Sequence, residues 1–263
     1  GWIRDRIFSL SPIQRQHRIL DLNARTGLLV WEAVRRVPEG GVYARVQSQQ
    51  DKDALEELSA RLPELSRPIL FQGDLEEIDK ILWGQTPGLR CDRILGRNAL
   101  GQTTDREQAI QSLKTLLAED GSIALAETIP RYSQRISALV DTSGFPKALA
   151  KRWQKADETI TQSTTDPRFN WDEETLQDQF QKAGFTVHLW LETIHNQIYI
   201  SPSLLQRWFA QGGQPSSYAD QLSGHLSEKD IAAIQQVCQR QLQNQTVDWR
   251  TQIAFIVAQT KEE

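Results

Sequence analysis

The residues best placed for chemistry stand in the run ILDLNARTGLL, residues 19–29. An apolar stretch of strand length enters a turn carrying Asp21, Asn23, Arg25, Thr26 and Gly27, then leaves it as an amphipathic stretch over 28–36. Such a turn suits a nucleotide-like cofactor, because a helix start offers free N–H groups and the positive end of its dipole to a carboxylate or phosphate. The backbone must pass close to that ligand, sometimes with φ > 0, so glycine is expected through the turn. Here Asn23 and Arg25 stand where glycine would serve best, and Gly27 remains. Asn tolerates left-handed backbone better than most residues. Arg25 either enters the pocket, forces the loop onto another path, or stays on the surface paired with Glu32 or Glu127. Asp21 either serves the ligand or only packs and hydrogen-bonds at the strand end.

Other chemistries find little support. The histidines, His17, His188, His195 and His225, are scattered without metal spacing, and Cys91 and Cys238 are too few for a disulfide framework. Both cysteines read as buried thiols, which makes a reducing cytoplasm the natural location. There is no Gly-x-x-x-x-Gly-Lys-Ser/Thr run and no Gly-x-Ser-x-Gly elbow, which argues against a P-loop ATPase and an α/β-hydrolase. The formal charge of −4 argues against broad attraction to nucleic acid or an anionic membrane, though a local basic face is compatible with it. No run of 18 apolar residues exists, so no membrane span is expected.

The 263 residues are enough for one large core or two small ones. Strand-like runs at 18–23, 41–47, 67–72, 91–96 and 122–128 alternate with amphipathic stretches at 28–36, 51–61, 75–83 and 105–118. That alternation predicts β-α-β units and a parallel sheet. Residues 130–170 read as polar and helical, anchored by Phe145, Trp153 and Phe169. NWDEETLQDQFQKAGF (170–185) predicts a capped helix stopped at Gly184, and FTVHLWLETI (185–194) a strand. Residues 202–244 read as mostly helical with breaks at QGGQPSS and LSGHLSE, and TQIAFIVAQT (251–260) as a last strand. The eight tryptophans are expected to serve packing. The sharper alternative is an exposed aromatic set on 153–171 and 208–218, with Arg152, Arg168 and Arg207 beside it, that binds a partner or single-stranded nucleic acid.

The order of these segments resembles the class I S-adenosylmethionine-dependent methyltransferases. ILDLNARTGLL resembles that family's cofactor loop, Asp-x-Gly-x-Gly-x-Gly. FQGDLEEI resembles the segment after its third strand, CDRILGRNAL its fourth strand and the loop that follows, LLAEDGSIALAE its fifth strand, and LQDQFQKAGFTV the helix and strand near its end. The resemblance implies an α/β, doubly wound, mostly parallel seven-stranded, Rossmann-like sheet of order 3-2-1-4-5-7-6. One domain over 1–263 is expected, with a cofactor-binding half at 18–128, helical insertions at 130–170 and 194–250, and the last strand at 251–260. S-adenosylmethionine is the implied cofactor, with no metal. Its methionyl portion would lie near Asp21, Asn23, Arg25 and Gly27, its ribose near Gln47 and its adenine amino group near Asp74, with Arg97 just beyond the fourth strand. Gln47 stands where the family places a carboxylate, so its bonds to ribose hydroxyls lack charge assistance, a loss of about 1–2 kcal/mol. Asp74 also fits as the N-cap of the helix that follows, a role compatible with cofactor contact, and Arg97 and Asn98 also fit as a polar turn.

ILDLNARTGLLVWEAVRRVPEGG also resembles the C-terminal module fused, in cyanobacteria, to a replication-associated recombination AAA+ ATPase. That likeness implies an upstream ATPase domain in the same chain and a DNA-metabolism context, that of DNA recombination, with no defined activity for the module; a protein is the expected partner rather than nucleic acid. The complete absence of methionine, with Gly1 as a remnant of tag removal, fits a domain cut from a longer protein. Two functions are therefore expected to compete. One is a methyltransferase-fold module with a degenerate cofactor site, acting as a non-catalytic interaction or regulatory domain. The other is an active methyltransferase of unknown acceptor, which would need positioning more than a general base.

Overall fold

In the computed structural model, residues 1–101, 103–212 and 216–260 are described; part of the predicted break at QGGQPSS and the polar end KEE lie outside them. The chain falls into two compact units. The first holds Gly1–Thr128, Trp171–Glu192 and the strand from Ile253 on, and the second Ile129–Asn170 and Thr193–Gln252. The stretches read as helical insertions thus gather into a body of their own.

The first unit alternates as its apolar runs predict. After helix α1 (Trp2–Leu10) come β1 (Arg18–Asp21), α2 (Leu28–Arg36), β2 (Gly41–Val46), α3 (Gln49–Ser59) and β3 (Ile69–Gln72). They are followed by α4 (Ile78–Gln85), β4 (Cys91–Arg97), α5 (Arg106–Leu116) and β5 (Leu117–Thr128). β1 pairs in parallel with β2 and β4, β2 with β3, and β4 with β5. Parallel strands covered on both faces read as continuous apolar runs, and Ile19, Leu20, Ile94, Leu95, Ile123 and Leu125 are fully buried. Each such side chain contributes about 1.5–3 kcal/mol of burial.

Helix boundaries follow capping chemistry. Ser48 accepts from the Asp51 N–H and starts α3 two residues before the predicted Asp51. Asp105 accepts from the Gln108 N–H and opens α5. Helix α6 (Lys147–Thr161) follows in the second unit. Helix α7 (Glu173–Lys182) belongs to the first; Asp172 caps it and Gly184, at φ +89°, ends it where predicted.

Strand β6 (Phe185–Tyr199) runs five residues beyond its predicted end. After α8 (Pro202–Phe209), α9 (Tyr218–Ser223) and α10 (Glu228–Leu242), strand β7 (Thr246–Thr260) starts five residues before its predicted start. The extra length is half-exposed, so no buried apolar face marks it in the sequence. β7 pairs antiparallel with β5, and the full order is β3-β2-β1-β4-β5-β7-β6. The sheet is therefore the predicted mostly parallel seven-stranded one. No helix among the described residues is long and apolar enough to cross a membrane.

In the second unit, Trp153, Leu205, Phe209, Leu222, Ile234 and Cys238 form a buried cluster, with Trp208, Tyr218 and Trp249 packed against it. Trp171, in the first unit, is likewise fully buried. This corrects the exposed-aromatic alternative: these rings pack, while Arg152 pairs with Asp230 and Arg168 with Asp166. Cys91 and Cys238 are free and buried, and burial pushes both thiols up to about 12.

A polar chain crosses this second core. The Trp153 indole N–H donates to the Tyr218 hydroxyl at 2.6 Å, and that hydroxyl donates to buried Asp157, whose other oxygen accepts from the Ser137 N–H at 3.0 Å. Replacing Tyr218 by Phe strands an indole N–H and a carboxylate oxygen in an apolar surround. Tyr218→Phe is expected to destabilise the protein by about 2–3 kcal/mol in urea unfolding followed by tryptophan fluorescence; a change within about 0.5 kcal/mol, the usual spread of surface substitutions, would refute the role given to this chain.

Candidate functional site

Strand order reverses at β1 and β4, which makes the crevice beyond their carboxyl ends the natural binding place of this architecture. β1 ends at Asp21, opposite Leu95, and β4 runs on to Arg97. The chain leaving β1 forms the turn before α2, and the chain leaving β4 forms a loop over Asn98–Gly101.

The turn is shaped by Gly27, at φ +74°. A Cβ there would collide with the Trp31 indole and lie 2.7 Å from Leu55 Cδ2. Glycine is thus required for backbone shape and for the packing of α2 and α3 alike. No side chain caps the first turn of α2, so its first N–H groups have no side-chain acceptor among the described residues.

Asn23 is 8% exposed and joins the two sides of the crevice. Its Nδ2 donates to the carbonyls of Arg97 at 2.8 Å and Asn98 at 3.0 Å. Its own backbone N–H donates to Asp21 Oδ1 at 3.0 Å. Asp21 Oδ2 and Asn23 Oδ1 are buried without a hydrogen-bond partner among the described residues. Burial pushes the Asp21 carboxyl up to about 7, against the single bond from the Asn23 N–H. Arg25 is exposed and pairs with neither expected partner. Glu32 is held by Arg35 and Arg36, at 2.6 and 2.7 Å, and Glu127 accepts from backbone N–H groups. The polar side chain that crosses the crevice is Asn23; Arg25 stands at its rim.

Glu127, fully buried at the end of β5, accepts from the N–H of Ala99 at 2.8 Å and of Leu100 at 3.2 Å. Burial raises its carboxyl to about 7, against these backbone bonds and the nearby Arg106 charge. Asn98, at φ +50°, accepts with its side chain from the Thr128 N–H at 2.9 Å. Asn98 and Glu127 therefore shape the loop after β4. The sequence singled out Glu127 only as a candidate partner of Arg25, because it lies inside a run that reads as strand.

Two cavities open here, and they share no lining residue. The larger, about 780 Å³, is lined by Arg45, Gln47, Asp74, Glu76, Thr103 and Thr104, among others. Gln47 is exposed and uncharged at the end of β2. Asp74 precedes a short 3-10 turn over Leu75–Glu77 but makes no capping bond, so its carboxylate is exposed on the cavity wall. Arg45 donates to the carbonyls of Gly73 at 2.6 Å and Leu22 at 3.3 Å, tying β2 to both neighbouring loops. Burial lowers its pKa, opposed by the charges of Asp74 and Glu76. Glu76 accepts from the N–H groups of Thr104 and Asp105 and the Thr104 hydroxyl; against burial, these bonds hold its carboxyl below the usual range. The smaller cavity, about 320 Å³, is lined by Arg4, Asn23, Arg25, Thr26, Arg97 and Asn98, with Ala24, Leu28 and Leu29. Of the expected site residues, Asn23, Arg25 and Arg97 line the smaller cavity and Gln47 and Asp74 the larger, while Asp21 lies buried behind the turn. Among the described residues no cluster of three metal-binding side chains occurs.

No family model and no curated protein matches the sequence. Solved structures do resemble it. YcgJ from Bacillus subtilis matches 99% of this chain and 98% of its own at 13% identity, with a TM-score of 0.61. A candidate methyltransferase from Bacillus halodurans matches over the full length of both chains at 12% identity and a TM-score of 0.59. The fold is methyltransferase-like. The mycolic acid cyclopropane synthase CmaA1, solved with SAH, covers 98% of this chain and 83% of its own at 14% identity, with a TM-score of 0.56. At these identities the likeness concerns architecture; the methyltransferase-like fold supplies the crevice, and the residues in it decide its use.

The raised carboxyls make stability depend on pH. A folded pKa near 7 for Asp21, against 3.8 in the unfolded chain, means that the folded state binds the extra proton. Its contribution is full below about pH 4 and is lost as pH rises through about 7; Glu127 acts in the same sense. The protein is expected to lose stability between roughly pH 4 and 7, and Asp21→Asn to remove more than about 1 kcal/mol of that loss. Equal pH slopes in urea titrations of the two proteins would refute it.

Proposed function

We propose that the chain is a methyltransferase-fold module whose crevice no longer takes S-adenosylmethionine, and that it acts as a non-catalytic interaction or regulatory domain. The observation that supports this reading is the Asn23 bridge. Its carboxamide lies across the crevice at the switch point and already satisfies the carbonyls of Arg97 and Asn98. A cofactor tail following the turn would have to displace that side chain and leave two carbonyls to be bonded anew. The uncharged, exposed Gln47 supports the reading further, since the ribose hydroxyls of a bound adenosyl group would meet no carboxylate there. The nucleoside end is less altered, because Asp74 still presents an exposed carboxylate to the larger cavity.

As the partner of such a module we propose a protein, an AAA+ ATPase domain upstream in the same polypeptide. The competing reading, an active methyltransferase, draws on the fold and on the exposed Asp74 carboxylate.

A ligand present at one hundred times its Kd adds about 2.7 kcal/mol to folding stability. Neither S-adenosylmethionine nor S-adenosylhomocysteine at millimolar concentration is expected to shift thermal unfolding measurably. The double variant Asn23→Gly, Arg25→Gly, which lifts the bridge and restores glycine to the turn, is expected to gain a measurable shift. A clear shift of the native protein with either compound would overturn the reading.

A further inference from the structure

We propose that two copies of this chain meet along the outer edge of β6. The strand of one copy pairs antiparallel with the same strand of the other, about a two-fold axis at Trp190. The proposal concerns the sheet edge and holds whether or not the crevice takes a cofactor.

The sheet has two edge strands, β3 and β6. An edge strand offers unpaired N–H and C=O groups to any other strand, and proteins blunt it by shortness, proline, lysine or a bulge. β3 is blunted, being four residues long and preceded by Arg67 and Pro68. β6 carries none of these residues. Its 15 positions, FTVHLWLETIHNQIY, include no proline, glycine, lysine or arginine. Phe185–Glu192 is the part of β6 that belongs to the first unit, and there no backbone group bonds outside the strand ladder among the described residues. Val187, Leu189, Trp190 and Leu191 are only half-buried, so apolar surface accompanies the open backbone.

The pattern of side chains selects the occupant. Strand periodicity puts His188, Trp190 and Glu192 on one face and Leu189 and Leu191 on the other. The Trp190 ring stacks on Phe255 at 6.0 Å, and Glu192 Oε1 accepts from Arg6 at 3.1 Å and from the Trp190 indole at 2.9 Å. Glu192 Oε2 and the exposed His188 imidazole have no partner among the described residues. In an antiparallel pair, opposed residues exchange both backbone bonds or neither, so a strand pairing with its own copy places one residue opposite itself. With Glu192 at that centre, two carboxylates meet. With Leu191 or Leu189 there, Glu192 meets Trp190 or Thr186. Centred on Trp190, each Glu192 lies opposite the His188 of the other copy, each Leu189 opposite Leu191, and the two indoles meet at the axis. That register alone answers the strand's one carboxylate with an imidazole, and symmetry makes it do so twice. Charge complementarity and apolar matching therefore point to a second copy of this chain.

Sedimentation equilibrium of the whole chain tests the proposal. An eight-residue edge is a small interface, so a monomer–dimer equilibrium with a Kd of about 10 μM is expected. His188→Glu sets like charges opposite each other twice and should weaken the dimer about tenfold or more, while His188→Lys should hold it within about threefold or tighten it. His188 is exposed, so both variants should match the parent by circular dichroism. Engineered thiols read the register. His188→Cys and Glu192→Cys chains, mixed under mild oxidation, should cross-link to each other, because opposed Cα atoms lie about 4.5–5.5 Å apart, within disulfide reach. Neither should cross-link to itself as fast, and the buried Cys91 and Cys238 do not compete. A chain that stays monomeric at about 20 times that Kd would leave the edge to a strand of another protein and overturn the proposal. A dimer indifferent to His188→Glu, assembly beyond a dimer, or self-cross-linking of either variant as fast as the mixed pair would overturn it equally.

Discussion

The hydrogen bonds from Asn23 to the carbonyls of Arg97 and Asn98 hold together the place where this sheet would otherwise open. In a doubly wound sheet the strand ends at the switch point present backbone groups that the sheet itself cannot pair. Water, a ligand or a side chain must meet them. A glycine at position 23 would leave them to water or ligand. Asparagine brings its own donor, and its placement is further fixed by its backbone bond to Asp21. That contact ties the loop after β1 to the loop after β4, and the crevice here holds a larger cavity beside β2 and β3 and a smaller one beside α2.

The loop on the β4 side is held equally firmly. Glu127 takes the Ala99 and Leu100 N–H groups, and Asn98 returns a bond to Thr128. Two buried carboxyls, Asp21 and Glu127, flank the crevice from behind with pKa values raised to about 7. Burying them charged at high pH opposes folding, so their retention reflects the loops they order rather than a gain in stability. The same bonds engage Asp21 Oδ1 and the carboxylate of Glu127, which leaves Asp21 Oδ2 and Asn23 Oδ1 as the unpaired acceptors of the crevice.

Much of the architecture was legible in residue pattern because it rests on burial. The apolar runs at 18–23, 41–47 and 91–96 became β1, β2 and β4 within two residues at either end, since strands covered on both faces leave a continuous apolar trace. The added five residues of β6 and of β7, half-buried or exposed throughout, left no such trace. The site was legible in outline only. Arg25 looked like the residue that would matter inside the crevice, because size and charge are visible in a sequence and direction is not. Asn23 looked mild, because its importance lies in two carbonyls 74 and 75 positions away. Asp74 looked like a helix cap by position, yet the segment after it opens as a short 3-10 turn and the cap bond does not form.

The two departures in the turn are linked by geometry. Glycine is needed at position 25 only while a ligand presses against the backbone there. With Asn23 bonded across the crevice, Arg25 is exposed, and its long side chain meets no steric penalty there. Gly27 is under no such release: its left-handed backbone and the closeness of Trp31 and Leu55 come from packing, which a change of ligand does not alter. Gly27 therefore belongs to the fold, whatever the crevice holds. Under the proposed function, Asn23 and Arg25 are the positions of this turn that a change of ligand leaves free to vary, and the architecture stands without them being glycine.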